Sequence, residues 1–253
     1  VSEPEELANL SIEQIATCIC RGGWTGSLNM NPKSALKTPI DYVESIINQD
    51  ISAADGITKN PERVRLLLRS LAQNTYIIAN YQTIKEDLET KNSQYSEKTI
   101  NLFLEALNRI FVTKDLPAWQ PSLRSKTAIR TSDKRHFVDP SIAVAALRTD
   151  PNGILNDFEL FGFLFESLCT RDIRIYAQAN DGDVLHYRDK SGLEADLIIR
   201  LRNGKWAAAE VKLGQKQIEE AAKNLLKIRD IEDVLLFAFS PIKPHQIIVI
   251  RKI

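Results

Sequence analysis

The last third of the chain alternates apolar and polar residues in short runs, a pattern that is typical of β-strands. Such runs predict strands over 173–178, 184–188, 193–200, 205–213, 234–239 and 246–250. The stretch 216–229 instead repeats its apolar residues every three to four positions, which predicts a helix between the fourth and fifth strands. This order of elements indicates an α/β fold with helices packed on a sheet.

The first half of the chain is predicted to be helical, because its apolar residues recur at helical spacing. Helices are expected to begin at three positions: near Ser11, at Pro39 and at Pro61. Two more are predicted over 81–88 and after Ser96, which is a suitable N-cap. The segment 111–119 then begins as extended backbone. The order helix, turn, helix and strand predicts a winged helix-turn-helix.

The helix after Ser96 would be the recognition helix of this motif, yet it has no net charge. Its charged side chains are Glu97, Lys98, Glu105 and Arg109. A helix that docks in a DNA groove usually carries more positive charge, so a packing or protein-contact role is favoured over direct reading of DNA. The next segment, 120–136, is more basic and is interpreted either as a wing that touches phosphates or as a soluble loop. Its candidate nucleic-acid-binding residues are Arg124, Lys126 and Arg130.

Composition narrows the possible classes of function. Lys+Arg and Asp+Glu number 33 each, so no overall positive field draws nucleic acid to the chain, and binding of a polyanion requires a local patch. Three cysteines and no secretory signal predict a reduced cytoplasmic protein. No run approaches the roughly 20 apolar residues of a membrane span, so no membrane partner is expected.

A nucleotide site is not expected either. The chain contains no G-x-x-x-x-G-K-S/T loop, whose backbone cradles the phosphates of ATP. The glycine-rich run 21–26 lacks the Lys-Ser/Thr pair that would follow in such a loop and is interpreted as a turn. ATP is therefore not predicted as a cofactor.

The candidate chemistry lies on two predicted strands that flank Asn203-Gly204. Asp196 is on the first strand, and Glu210 and Lys212 are on the second. Apolar residues occupy the odd positions of both strands, and a three- or four-residue loop, or one bulge, pairs odd with odd. That register turns one apolar row inward and gathers the three polar side chains on the opposite face. A two-residue loop would break this arrangement.

Two carboxylates beside one ammonium, all on rigid strands, are the minimum set for a divalent metal that cleaves phosphodiesters. The alternative interpretation is an exposed ion pair, which contributes little stability. Glu166, on a helix predicted over 153–169, is a candidate third acid, although most helix glutamates are only solvated. Asp139 is interpreted as an N-cap.

Six segments of the chain stand out as an ordered series of motifs. They are Arg21-Gly-Gly-Trp24, Leu68-Arg-Ser-Leu-Ala72, Lys114-Asp-Leu-Pro-Ala-Trp119, Phe137-Val-Asp-Pro140, Leu164-Phe-Glu-Ser167 and Glu210-Val-Lys-Leu-Gly214. The series resembles the C-terminal region of prokaryotic AAA-type ATPases. In that family a P-loop ATPase precedes a winged-helix element and domain of unknown function 4143, which is similar to the PD-(D/E)XK nuclease superfamily.

The resemblance covers nearly the whole chain, but the P-loop ATPase domain is missing. It implies a helical remnant of an ATPase lid and linker at 1–60 and a winged-helix-like domain at 61–131. It also implies a PD-(D/E)XK restriction-endonuclease-like α/β/α domain at 132–253. The chain is then a fragment, the product of a truncated gene or a stand-alone remnant.

The resemblance also implies a role for each site residue. The implied ligands of Mg²⁺ or Mn²⁺, which prefer oxygen, are Asp196, Glu210 and the Val211 carbonyl. Lys212 would position or help deprotonate the attacking water and offset charge on the phosphorane. Glu166 would bind the metal through water or orient Lys212. Gln217, at the start of the next helix, would support the site.

Three functions are open at this point. The first is a metal-dependent nuclease that acts on DNA. The second is a non-catalytic module that keeps the nuclease fold for contact with DNA, with a protein partner or with copies of itself. The neutral recognition helix and the missing ATPase motivate this second hypothesis. The third is a transcriptional regulator that binds DNA through its winged helix.

Overall fold

A computed structural model describes residues 10–75, 81–89, 95–119, 133–189, 192–213, 215–229 and 235–239. The chain divides into two compact units, each of which is discontinuous in sequence. The helical unit contains residues 16–115 and 134–168, and the sheet unit contains residues 1–15, 116–133 and 169–253. The predicted domain boundaries near residues 60 and 131 stay predictions.

The helical unit is built from helices that bury one apolar face. They are residues 16–21 of α1 (Ile12–Arg21), α2 (Pro32–Ser45), α3 (Ile51–Ala53), α4 (Pro61–Gln73), α5 (Tyr81–Leu88), α6 (Glu97–Arg109), α7 (Pro140–Leu147), α8 (Pro151–Leu155) and the first half of α9 (Phe158–Ala179). A π-helical turn, Ile46–Asp50, joins α2 to α3. The apolar helix α7 packs against both α2 and α4. No helix in the described ranges is long and apolar enough to span a membrane.

Polar N-caps begin three of these helices where the sequence predicts them. Asn60 caps α4, Ser96 caps α6 and Asp139 caps α7. In each cap the side-chain oxygen accepts a hydrogen bond of 2.9–3.2 Å from a backbone N–H of the first turn. These bonds satisfy donors that the start of a helix otherwise leaves without a partner.

Pro39 does not begin a helix, contrary to the prediction. α2 begins at Pro32, and the Asn31 side chain caps it by accepting a hydrogen bond of 3.0 Å from the Ser34 N–H. Pro39 lies inside α2 and is buried. Both prolines follow a residue that is able to cap a helix, so the local pattern does not decide between them. A helix that begins at Pro32 is longer than one that begins at Pro39, and it also buries Ala35.

The sheet unit contains a mixed sheet, whose described strands lie in the order β1-β2-β3-β4. The strands β1 (Gly182–Arg188), β2 (Glu194–Leu201) and β3 (Trp206–Val211) are antiparallel, and β4 (Leu235–Phe239) is parallel to β3. Helix α10 (Gln215–Arg229) connects β3 to β4 and packs against β2, β3 and β4. The chain is therefore mixed α/β, as predicted. The strand predicted over 246–250 lies outside the described residues.

The prediction of a strand over 173–178 is wrong, because these residues form the last turns of α9. Alternation over so few residues does not distinguish a strand from part of a long helix. The single helix predicted over 153–169 is also wrong, since α8 and α9 are separate. The break occurs at Asp157, whose Oδ1 accepts a hydrogen bond of 3.0 Å from the Leu160 N–H and starts the new helix.

The hairpin of β2 and β3 has the register that the apolar positions predict. Its facing pairs are Leu197–Ala209, Ile198–Ala208, Ile199–Ala207 and Arg200–Trp206. The Leu201 N–H donates to the Lys205 carbonyl at 2.8 Å, so the loop has three residues. Gly204 takes a φ of 84° there, in the left-handed region that glycine adopts most easily. Odd positions therefore face odd positions.

Odd- and even-numbered side chains of β2 and β3 form two rows, one on each face of the hairpin. Both rows contain buried residues, although only the odd-numbered row was predicted to face inward. Leu197 and Ala209 in the odd row and Ile198 and Ala208 in the even row are fully buried. Ile198 and Ala208 belong to an apolar cluster that also contains Ala195, Trp119, Trp206 and two α10 residues, Leu225 and Ile228. Both faces of the hairpin are thus part of a packed interior, and the pairing of β2 with β1 is irregular between Ala195 and Ile198, where Asp196 lies.

The winged helix is not established by the structure. Helices α5 and α6 agree with the predicted helix pair. After α6 the backbone forms isolated bridges, from Thr113 to Phe137 and from Ala118 to His186. The segment that would form the basic wing falls mostly within 120–132, outside the described residues. The winged helix-turn-helix stays a prediction.

Candidate metal centre

Asp196 and Glu210 lie side by side in the sheet unit. Each occupies the position next to the facing pair Leu197–Ala209, Asp196 on β2 and Glu210 on β3. Both are buried, with 5% of Asp196 and 3% of Glu210 exposed to solvent. Two acids so far from water require partners, because an isolated buried charge is strongly unfavourable.

Lys212, immediately after β3, completes the set. Its Nζ lies 2.9 Å from Asp196 Oδ2 and 2.6 Å from Glu210 Oε2. The Val211 N–H donates a further hydrogen bond of 3.0 Å to Asp196 Oδ2. The structure therefore brings Asp196, Glu210 and Lys212 together. We refer to these three residues as the acid–lysine cluster.

Burial raises the pKa of Glu210 from 4.5 to about 9, and Asp196 adds to the rise through its charge and a hydrogen bond between the two carboxyl groups. Lys212 opposes the rise, but its effect is smaller. Glu210 therefore keeps its proton near neutral pH. That proton removes the repulsion between two adjacent buried carboxylates. The contact from Lys212 to Glu210 is then a hydrogen bond to a neutral acid.

The raised pKa of Glu210 predicts that stability falls as the pH increases. Below a pH of about 4.5 the glutamate is protonated in both the folded and the unfolded chain, and its contribution to folding is fully present. Above that pH only the unfolded chain loses the proton, so the free energy of unfolding falls until the pH reaches about 9. The slope of a single group reaches at most about 1.4 kcal/mol per pH unit.

Glu210→Gln isolates this effect, because a glutamine amide resembles the neutral acid and does not titrate. We expect urea unfolding of the wild type to give a decreasing free energy between about pH 5 and about pH 8.5, and a flatter profile for the variant. Parallel profiles for the two proteins would show that Glu210 is not protonated in the folded state.

The donor set of the cluster fits a hard divalent cation. Asp196 Oδ2 and Glu210 Oε2 already converge on one positively charged atom, Lys212 Nζ. In the described part of the chain no group of three or more His, Cys, Asp or Glu residues is placed to hold a metal ion, so the cluster offers two carboxylates. Mg²⁺ commonly binds one or two carboxylates and completes its octahedron with water and substrate phosphates.

The described residues also include three further predicted site residues, Glu166, Val211 and Gln217. Glu166 lies on α9 in the helical unit, where it is 8% exposed, and its role as a third acid stays a prediction. Val211 is buried on β3, and its N–H rather than its carbonyl is the group seen to contact Asp196. Gln217 is exposed on α10. The proposed DNA-binding residues Arg124, Lys126 and Arg130 lie outside the described residues.

A second set of contacts, which the sequence analysis did not anticipate, lies in the helical unit. The Gly23 N–H donates to Asp139 Oδ2 at 2.9 Å, and Trp24 Nε1 donates to Ser141 Oγ at 3.0 Å. Gly22 is buried beside them with a φ of 75°. We call these five residues the latch. Its two halves were separate motifs in the sequence, one interpreted as a turn and the other as a helix cap. Neither interpretation indicates that they bind each other.

Similarity to known families covers both halves of the chain. Residues 12–153 match the family described as Domain of unknown function (DUF8612). Because the match covers more than half of the chain, the protein belongs to this family. Residues 161–241 match Domain of unknown function (DUF4143).

The acid–lysine cluster thus lies within a DUF4143 domain, in agreement with the resemblance noted in the sequence. The ATPase context and the nuclease-like character stay predictions. No solved structure and no curated protein is significantly similar to the chain.

Proposed function

We propose that the DUF4143 domain is a metal-dependent phosphodiesterase that acts on DNA, with a PD-(D/E)XK nuclease-like fold. The observation that carries this proposal is the convergence of Asp196, Glu210 and Lys212 on adjacent strands. A structural ion pair needs one acid and one base. The second buried acid is costly to keep and is accounted for by a divalent cation that both acids bind.

Each residue has a distinct role in this proposal. Asp196 and Glu210, with the Val211 carbonyl, hold Mg²⁺ or Mn²⁺. The bound ion supplies an activated water and neutralises charge on the phosphate. Lys212 donates hydrogen bonds to the attacked phosphate and offsets the negative charge that develops on it. Glu166 is proposed as a further acid that orients Lys212 or a water.

The test is a cleavage assay on several forms of DNA. The purified chain is incubated with single-stranded, linear duplex and supercoiled circular DNA, with Mg²⁺, with Mn²⁺ or with a chelator. We expect shorter or nicked products only when metal is present. No cleavage of any form, or cleavage that the chelator leaves unchanged, would overturn the proposal.

A second candidate function is a non-catalytic module that binds DNA or a protein partner. One observation favours it: the acids are 5% and 3% exposed, and an ammonium already contacts both of them. In this alternative the cluster only stabilises the sheet, and the basic segment 120–136 or the proposed winged helix makes the DNA contact. DNA retention without cleavage, unchanged by Asp196→Asn, would support this second function over the first.

A further inference from the structure

Lys212 is the most accessible member of the acid–lysine cluster. Its side chain is 30% exposed, whereas those of Asp196 and Glu210 are 7% and 4% exposed. The lysine follows the last residue of β3, and its side chain is a flexible four-carbon stem. The head group is therefore able to leave the acids and enter solvent without a change in the sheet.

The ammonium competes with a divalent cation for the same oxygen atoms. Lys212 Nζ lies within hydrogen-bond distance of one oxygen from each acid, Asp196 Oδ2 and Glu210 Oε2. A cation bound between these oxygens would meet both the bulk and the positive charge of the ammonium. Two positive groups in a buried site repel each other strongly. Occupation by Lys212 and occupation by a metal ion thus oppose each other.

We propose that Lys212 closes the metal site in the free protein and opens it when a phosphodiester is bound. The phosphate is a negatively charged acceptor for the ammonium, so it draws Lys212 away from Asp196 and Glu210. Substrate and metal then bind cooperatively, each raising the affinity for the other by the same factor. This inference rests on the proposed function, because it concerns how the same site is filled.

Lys212→Met tests the proposal by removing the ammonium and keeping an apolar stem of similar length. Isothermal titration with Mn²⁺ is expected to give an affinity at least about tenfold higher for the variant than for the wild type, in the absence of DNA. DNA cleavage is expected to fall in the same variant, since the phosphate loses its partner. Lys205→Met is the matched control, because Lys205 is exposed at the end of the β2–β3 loop, five residues before Glu210. It should leave both measurements unchanged.

The outcomes separate this inference from the function on which it rests. If neither the wild type nor Lys212→Met binds Mn²⁺, the proposed metal site is wrong and the inference fails with it. If both bind Mn²⁺ with equal affinity, or the variant binds more weakly, the site stands and the closing role of Lys212 is overturned.

Chemical modification gives a second test that does not depend on a folded variant. Acetic anhydride modifies exposed lysines, and mass spectrometry measures the modified fraction of Lys212 relative to Lys205. In the wild type we expect saturating Mn²⁺ to increase the relative modification of Lys212 by about threefold or more, because the side chain moves into solvent. Mn²⁺ binding by titration with no change at Lys212 would overturn the proposal.

Discussion

Replacing Asp196 with asparagine is expected to reduce metal-dependent DNA cleavage by at least about 100-fold while leaving the fold in place. Asparagine has the same shape and keeps an oxygen that accepts hydrogen bonds from the Val211 N–H and Lys212 Nζ. It lacks the negative charge, and a neutral amide is a weaker ligand for a hard divalent cation. The measurement is the cleavage rate in Mn²⁺, with circular dichroism to confirm that the variant is folded.

Asp183→Asn is the matched control for this prediction. Asp183 lies on the neighbouring strand β1, where its 70% exposed side chain pairs with Arg200 at 3.1 Å. An exposed pair of this kind contributes little to stability, and cleavage should stay within about twofold of the wild type. Similar losses in the two variants would indicate a general disturbance of the sheet. Full activity of Asp196→Asn would show that the acid–lysine cluster is not the catalytic centre.

Gly22→Ala is expected to lower the free energy of unfolding by about 2–4 kcal/mol. Gly22 has a φ of 75°, which an alanine adopts only at a cost. An added Cβ would also lie 2.7 Å from both Asp139 Oδ1 and Trp24 Nε1, closer than such atoms approach in folded proteins. The latch would have to open to relieve this contact. Urea unfolding monitored by tryptophan fluorescence measures the loss.

Gly26→Ala is the control variant for Gly22→Ala. Gly26 lies a few residues further along the same segment, and nothing stands within 4 Å of a Cβ added there. Its substitution should change the free energy of unfolding by no more than about 0.5 kcal/mol. If the two alanine variants were equally stable, the latch would contribute nothing to the helical unit.

The register of the β2–β3 hairpin was predictable because the rule behind it is local. Side chains of a strand alternate between faces, and both strands carry their apolar residues at odd positions. Pairing odd with odd places Asp196 and Glu210 next to the facing pair Leu197–Ala209, and the three-residue loop closed by Leu201 and Lys205 provides that pairing. Convergence of the two acids follows from the hydrophobic pattern of twenty or so neighbouring residues.

Burial of those acids was not predictable in the same way. The hairpin packs against Trp119 and against Leu225 and Ile228 of α10, which are distant in sequence from β2. Long-range packing of this kind leaves no periodic signal in the strand itself. The latch was not predicted either, because its contacts are also long-range: Gly23 and Asp139 are 116 residues apart.

The prediction of a strand over 173–178 was wrong for the opposite reason, because a local signal was present but was misleading. Its short alternation of apolar residues resembles a strand, but the segment continues the 22-residue helix α9. Once a long helix has formed, each added residue gains a hydrogen bond without the cost of a new nucleus. Context from the preceding residues therefore outweighs a short alternating run.

The most direct measurement for the metal centre is the anomalous scattering of Mn²⁺ in crystals of the protein grown with Mn²⁺ and a short DNA duplex. The account predicts an anomalous peak within about 2.0–2.6 Å of carboxylate oxygens of both Asp196 and Glu210, with Lys212 Nζ moved away from them. Crystals that contain bound DNA but show no peak there, with Lys212 still in contact with both acids, would contradict it.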